Sequence, residues 1–200
     1  MTIWPVELYS YVFQLACTDD GSTVLNLSLV SKQFREIARP FLYQSLVLST
    51  PQKSGLLLEK TKNLLPHLRR IEHLFIAPTH DADHETCSPN NTIILRIVQL
   101  AAPTLKTLVL IAPCLITGTS LISFLFRLQY PNLEELTIAG LYPFSFHWGS
   151  FPRLTRLHFA GGNRNPHGLF QVGALDEAFP ALTHLRVSGI ARALSFVDEL

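Results

Sequence analysis

The residues best equipped for chemistry lie in one run, His80-Asp81-Ala82-Asp83-His84-Glu85-Thr86-Cys87. Imidazole, carboxylate and thiolate are all metal donors, and four of them could in principle form a tetrahedral set. Their spacing matches no familiar metal site, however, and the chain's 8 histidines make a chance grouping unsurprising. The run reads instead as a polar surface loop. Elsewhere the chain has no Gly-x-Ser-x-Gly elbow, no phosphate-cradling glycine loop and no paired-cysteine motif. No catalytic residue, metal or cofactor is therefore expected. The function must be sought in surfaces, and hence in the elements that build them.

Those elements announce themselves by repetition. A cassette of Pro, a variable residue and Leu, followed by apolar residues three and five positions after that Leu, occurs four times. The copies are Pro103…Leu105…Leu108…Leu110, Pro131…Leu133…Leu136…Ile138, Pro152…Leu154…Leu157…Phe159 and Pro180…Leu182…Leu185…Val187. Looser copies precede them at Tyr43…Leu46…Leu48 and Ile71…Leu74…Ile76. Counted from the first apolar residue, successive intervals are 28, 34, 28, 21 and 28 residues. Such a period signals stacked units that bury their apolar sides against their neighbours. The last two apolar positions are two apart, the spacing of one face of a strand.

Apolar segments with helical spacing fall between the cassettes, at Leu56 to Leu65, Ile93 to Ala101, Thr119 to Tyr130 and Leu169 to Phe179. The 21-residue interval leaves no room for a long helix, so Tyr142 to Trp148 is expected to cross as irregular or 3₁₀ backbone. The 34-residue interval accommodates the His80–Cys87 run as an inserted loop.

Composition bounds the partners. Hydrophobic residues make up 48% of the chain and charged ones only 16%, as expected when strands are buried by neighbouring units. A net charge of +1 with scattered Lys and Arg argues against a nucleic-acid binder, which concentrates basic residues on one face. Thr107 to Phe126 is uncharged and long enough to span a bilayer. The cassette residues Leu108 and Leu110, the breakers Pro113 and Gly118, and a buried helix face of Leu121, Leu125 and Leu128 explain it without a membrane. The start lacks a basic secretory n-region, and Cys17, Cys87 and Cys114 have no framework spacing. Cytoplasm or nucleus is the expected location.

On these residues the stretch 44–200 resembles the leucine-rich-repeat family. The position that commonly carries Asn or Cys holds varied residues such as Pro113, Leu141 or Gly162. The resemblance implies an α/β fold: a curved solenoid of about six units, with parallel strands on the concave side and helices or irregular segments on the convex side.

The first 43 residues differ in kind. Pro5 and Glu7 suit a helix start. Leu8, Val12 and Leu15 then mark one face, Asp19-Asp20-Gly21-Ser22 forms a turn, and Leu27, Val30, Phe34 and Ile37 mark a face of the next helical stretch. This segment resembles an F-box, through Pro5, Glu7, Leu8, Phe13, Leu27, Val30, Ser31, Lys32, Phe34, Arg35, Leu42 and Tyr43. Trp4 stands where that family usually has Leu.

The resemblance implies the substrate-recognition subunit of an SCF-type cullin-RING ubiquitin ligase. It would dock on a Skp-type adaptor through Pro5, Leu8, Val12, Leu27, Val30, Phe34 and Leu42. The repeats would hold a client protein. A segment of about 40 residues is too small to bury an adequate core of its own, which independently favours a partner surface.

Alternation within the cassettes predicts the open side of the sheet. Its candidate client-binding residues are Phe75, Val109, Ile111, Glu135, Arg156, His158, His184 and Arg186. The early strands contribute apolar groups and the last two basic ones. Two rivals stay open: a repeat scaffold with a vestigial F-box, and a truncated non-functional fragment. The latter arises because Ile190, Leu194 and Val197 begin a covering segment that stops at Leu200 without a polar cap.

Overall fold

Each cassette becomes a strand, and all six strands pair in parallel in chain order. The computed structural model describes residues 4–65, 68–77, 89–112, 115–140, 149–160 and 177–188. The His80–Cys87 run, the crossing at 142–148, most of the 169–179 segment and the tail from 190 lie outside the described residues. The strands are β1 (Ser45–Leu48), β2 (His73–Ile76), β3 (Thr107–Ile111), β4 (Glu135–Ala139), β5 (Arg156–Ala160) and β6 (His184–Val187). Their order is β1-β2-β3-β4-β5-β6, with every neighbouring pair parallel.

Register follows the cassette without a slip. Leu46, Leu74, Leu108, Leu136, Leu157 and Leu185 are successive partners, as are Leu48, Ile76, Leu110, Ile138, Phe159 and Val187. A slip of one residue would turn the leucines to the solvent face, so the hydrophobic pattern enforces this alignment.

Helices α4 (Pro51–Lys62), α5 (Pro89–Ala101) and α6 (Leu115–Leu125) connect the first four strands. They bury Leu57, Ile94, Ile97, Val98, Leu121, Ile122 and Leu125 in one cluster with the leucine face of the first five strands, whereas Leu185 of β6 is exposed. α4 begins earlier than its apolar residues suggest, because the Thr50 hydroxyl accepts the Lys53 N–H at 3.4 Å and Pro51 takes the first turn. Its buried positions are Ser54, Leu57 and Thr61, whereas Leu56 is exposed, and the helix ends at Lys62, short of Leu65, which is also exposed. Ser54 and Thr61 are tolerated there because their hydroxyls donate to the carbonyls of Thr50 and Leu57.

The cassette proline has a structural role. Leu133, Leu154 and Leu182 donate their N–H to the carbonyls of Tyr130, Phe151 and Phe179, which puts Pro131, Pro152 and Pro180 second in a four-residue turn. Fixed φ suits proline to that place. The residue before each proline is a buried aromatic, and the three form a chain. Tyr130 stacks on Phe151 with ring centroids 5.2 Å apart, and Phe151 meets Phe179 at 5.4 Å. The variable residue after the proline links units: Thr104 donates to the Ile71 carbonyl, Asn132 to the Pro103 carbonyl, and Arg153 to the Asn132 side chain.

Tyr130 carries an anomaly. Its hydroxyl is buried and has no hydrogen-bond partner among the described residues, and burial pushes its pKa far up. An unsatisfied buried hydroxyl costs about 1–3 kcal/mol. Tyr130→Phe keeps the stacking, so urea denaturation should show a gain of that order.

The N-terminal helices are α1 (Val6–Ala16), α2 (Ser22–Val30) and α3 (Lys32–Ala38), followed by a 3₁₀ turn, Arg39–Phe41. They form a second, small cluster of Phe13, Cys17, Val24, Ile37 and Ala38, with Tyr9, Leu27, Phe34, Phe41 and Leu42 packed against it. Leu42 belongs to this cluster and Tyr43 to the sheet's, so the chain passes from one core to the other between adjacent residues. The helices also meet the first strand. The Gln44 amide donates to the Gln14 carbonyl at 3.0 Å, and the Ser45 hydroxyl to that of Thr18 at 3.3 Å. Among the described residues, no helix is long and apolar enough to cross a membrane.

Candidate functional site

Two surfaces stand out, and the first lies on the N-terminal helices. α1 is apolar on two sides. Tyr9, Phe13 and Cys17, four residues apart, face the small core. Leu8, Val12 and Leu15 form a second stripe that is exposed, together with Val6 and Tyr11. α2 repeats the arrangement: Val24 is buried, whereas Leu25, Leu29 and Val30 are exposed, Leu29 by 76% and Val30 by 65%. Trp4 is exposed beside Tyr9, with ring centroids 6.0 Å apart. A groove lined by Val6, Ser10, Tyr11, Pro40, Phe41 and Arg70 adjoins the α1 stripe.

Local hydrogen bonds hold these helices in place. The Asp19 carboxylate accepts from the hydroxyls of Ser22 and Thr23 and from the N–H groups of Gly21 and Thr23. Gly21 takes φ +93°, a conformation open to glycine, to bring the chain into α2. The hydrogen bond from the Thr23 side chain, helped by the others, holds the Asp19 pKa down at about 2 against an ordinary 3.8. The folded-state pKa is the lower one, so this contribution is complete above the ordinary value and is lost as pH falls toward about 2. Asp19→Ala should cost about 0.5–1.5 kcal/mol at neutral pH, the net worth of a hydrogen bond. The difference from wild type should close on acidification through that window, which urea titrations at stepped pH would reveal. Ser31 caps α3 through the Phe34 N–H at 3.1 Å, and Arg35 Nε donates to the Ser28 carbonyl, tying α3 to the end of α2.

The sequence-expected docking residues divide between surface and core. Pro5, Leu8, Val12 and Val30 are on the surface. Leu27, Phe34 and Leu42 are half-buried in the helical core. The Phe34 ring lies 5.2 Å from Tyr9 and 5.4 Å from Phe13, joining α3 to α1. Sequence reasoning missed Val6, Tyr11 and Leu25 as members of the exposed set, and left Leu15 and Leu29 off the docking list although Leu15 shares the Leu8–Val12 face. Their spacing, i, i+4 in Tyr11–Leu15 and Leu25–Leu29, was the available signal.

The second surface is the open side of the sheet. Parallel sheets are ordinarily covered on both faces, yet here one side carries residues that are partly buried or exposed, with Ser45 of β1 the buried exception. One row across the strands reads Ser45, His73, Thr107, Glu135, Arg156, His184. The next reads Val47, Phe75, Val109, Thr137, His158, Arg186. Ile111 pairs with Ala139 beyond them. All eight sequence-expected client residues thus lie on one face. Polar contacts knit its rows. His73 Nδ1 lies 3.2 Å from the Thr107 hydroxyl, Arg156 pairs with Glu135, and His158 Nε2 lies 3.1 Å from the Ser188 hydroxyl. Burial lowers the pKa of both His73 and His158, with Arg186 adding to the effect at His158. No cluster of metal-donor residues occurs among the described residues.

No protein-family model matches the chain, and neither a curated protein nor a solved structure shows significant similarity to it. Its function must therefore be argued from these two surfaces.

Proposed function

We propose that this protein is a non-enzymatic adaptor, the substrate-recognition subunit of an SCF-type cullin-RING ubiquitin ligase. Helices α1 and α2 dock on a Skp-type adaptor protein, and the open sheet face, the concave side of a leucine-rich-repeat solenoid, holds a client protein. One observation carries the reading. A helical unit of modest size has filled its own core and still exposes Leu8, Val12, Leu15, Leu25, Leu29 and Val30. Burying a large apolar side chain is worth roughly 1.5–3 kcal/mol, so a partner that covers several of them gains far more than scattered surface residues provide. The F-box-like pattern of Pro5, Glu7, Leu8, Ser31, Lys32, Phe34 and Arg35 names the kind of partner.

The division of labour also supports the reading. The stripe on the helices is apolar, as a permanent interface is. The sheet face mixes apolar and charged groups, as an exchangeable one does. Co-expression with a Skp-type adaptor, followed by size-exclusion chromatography, provides the test. A one-to-one complex is expected; separate elution of two folded proteins would leave a repeat scaffold without a ligase.

A further inference from the structure

The sheet face is graded, and the grading specifies what lies on it. Along the central row the side chains run Val47, Phe75, Val109, Thr137, His158, Arg186. The first three strands offer apolar groups, the fourth a hydroxyl, the fifth an imidazole and the last a guanidinium. β5 and β6 place Arg156 opposite His184 and His158 opposite Arg186. Neighbouring strands are about 4.8 Å apart and alternate residues about 6.6 Å, so two guanidinium and two imidazole side chains stand at the corners of one small rectangle, the arginines on one diagonal. Arg156 is partly neutralised by Glu135. Arg186 is exposed and has no carboxylate partner among the described residues.

We infer that the sheet face binds an extended peptide segment laid across the strands, with an apolar end over Val47, Phe75 and Val109 and an anionic end over the β5–β6 basic rectangle. Six strands span five gaps, about 24 Å, and an extended chain covers about 3.3 Å per residue. The footprint is therefore about seven or eight residues. The anionic end takes two adjacent carboxylates or a phosphoester, since either fits between guanidinium groups. The opposite polarity would set acidic residues against Phe75 and Val109 and leave Arg186 uncompensated, so the gradient also fixes direction. This inference rests on the client-holding half of the proposed function and specifies the client's chemistry.

The probes are two fluorescein-labelled peptides of about eight residues. Both begin Leu-Phe and continue through a Gly-Ser spacer; one ends in Asp-Asp and the other in phosphoserine. A third, ending in Lys-Lys, is the control. Anisotropy titrations of the full chain should show at least one anionic peptide binding at least about tenfold more tightly than the control, with the preference shrinking in about 0.5 M salt. Arg186→Glu should remove that preference, and Phe75→Ser should weaken both anionic peptides. Equal binding of all three peptides, no binding of either anionic one, or an unchanged preference in Arg186→Glu would overturn the inference. Adaptor binding is measured on the helices with the same variants. An intact adaptor complex with no peptide preference would refute this inference alone.

Discussion

Phe151→Ala should lower the free energy of unfolding by about 3–5 kcal/mol, the cost of removing a fully buried aromatic side chain. The position is unusual even among core residues. Phe151 is completely buried and touches three other rings: Tyr130 stacked at 5.2 Å, Phe126 edge-on at 5.4 Å and Phe179 at 5.4 Å. Phe126 and Tyr130 belong to the end of the β3–β4 connection, and Phe151 and Phe179 to the turns that launch β5 and β6. One truncation therefore weakens three consecutive units. Domains of this size hold only about 5–15 kcal/mol in reserve, so a large share of stability should vanish. Denaturant unfolding followed by circular dichroism will read it. Phe151→Leu, which keeps most of the volume, should recover much of the loss.

The second large effect reverses the usual rule for glycine. Replacing a mid-helix glycine by alanine ordinarily stabilises by about 1 kcal/mol. Gly118 lies within α6, but a Cβ there would sit 2.5 Å from the Ala112 carbonyl oxygen and 3.2 Å from the Ala112 Cβ. At Gly140 a Cβ would meet the same oxygen at 2.6 Å and Ile122 Cδ1 at 2.9 Å. The end of β3 is thus held between α6 and the end of β4, where Ala112 donates its N–H to the Ala139 carbonyl at 2.7 Å. Backbone cannot move aside as a flexible side chain can. Overpacking of this kind costs about 1–3 kcal/mol, so Gly118→Ala should destabilise rather than stabilise, and Gly140→Ala likewise. Thermal melts of the two variants against wild type decide it. A raised midpoint for Gly118→Ala would show that the approach is looser than described.

The strands were readable in the sequence because a period-two pattern has only two outcomes, and Leu46/Leu48 through Leu185/Val187 all choose the same one. The open-face residues followed from the same alternation. Helix edges were less legible: Leu56 was a plausible core residue by hydropathy alone, yet Ser54 and Thr61 take the buried positions beside Leu57. Apolarity could not discriminate within the N-terminal helices either. Phe34 and Leu29 look equally suited to a partner, but Phe34 is held between Tyr9 and Phe13 while Leu29 is bare. That distinction depends on which neighbouring helix arrives, which a local pattern does not encode. The aromatic chain was within reach, since Tyr130, Phe151 and Phe179 each precede a cassette proline. The links made by Thr104, Asn132 and Arg153 were not, because three different side chains make three different bonds.

The proposed adaptor-docking face is tested most directly by isothermal titration of a purified Skp-type adaptor into three proteins. These are wild type, a Leu29→Asp/Val30→Asp variant and a Val47→Asp variant on the sheet face. Leu29 and Val30 are exposed and outside the helical core, so the double variant should fold, which circular dichroism will verify. The account predicts one-to-one binding for wild type and Val47→Asp. It predicts at least about a hundredfold loss for the double variant, equivalent to about 2.8 kcal/mol. A folded double variant that binds as tightly as wild type, or a folded wild type that does not bind at all, would contradict it.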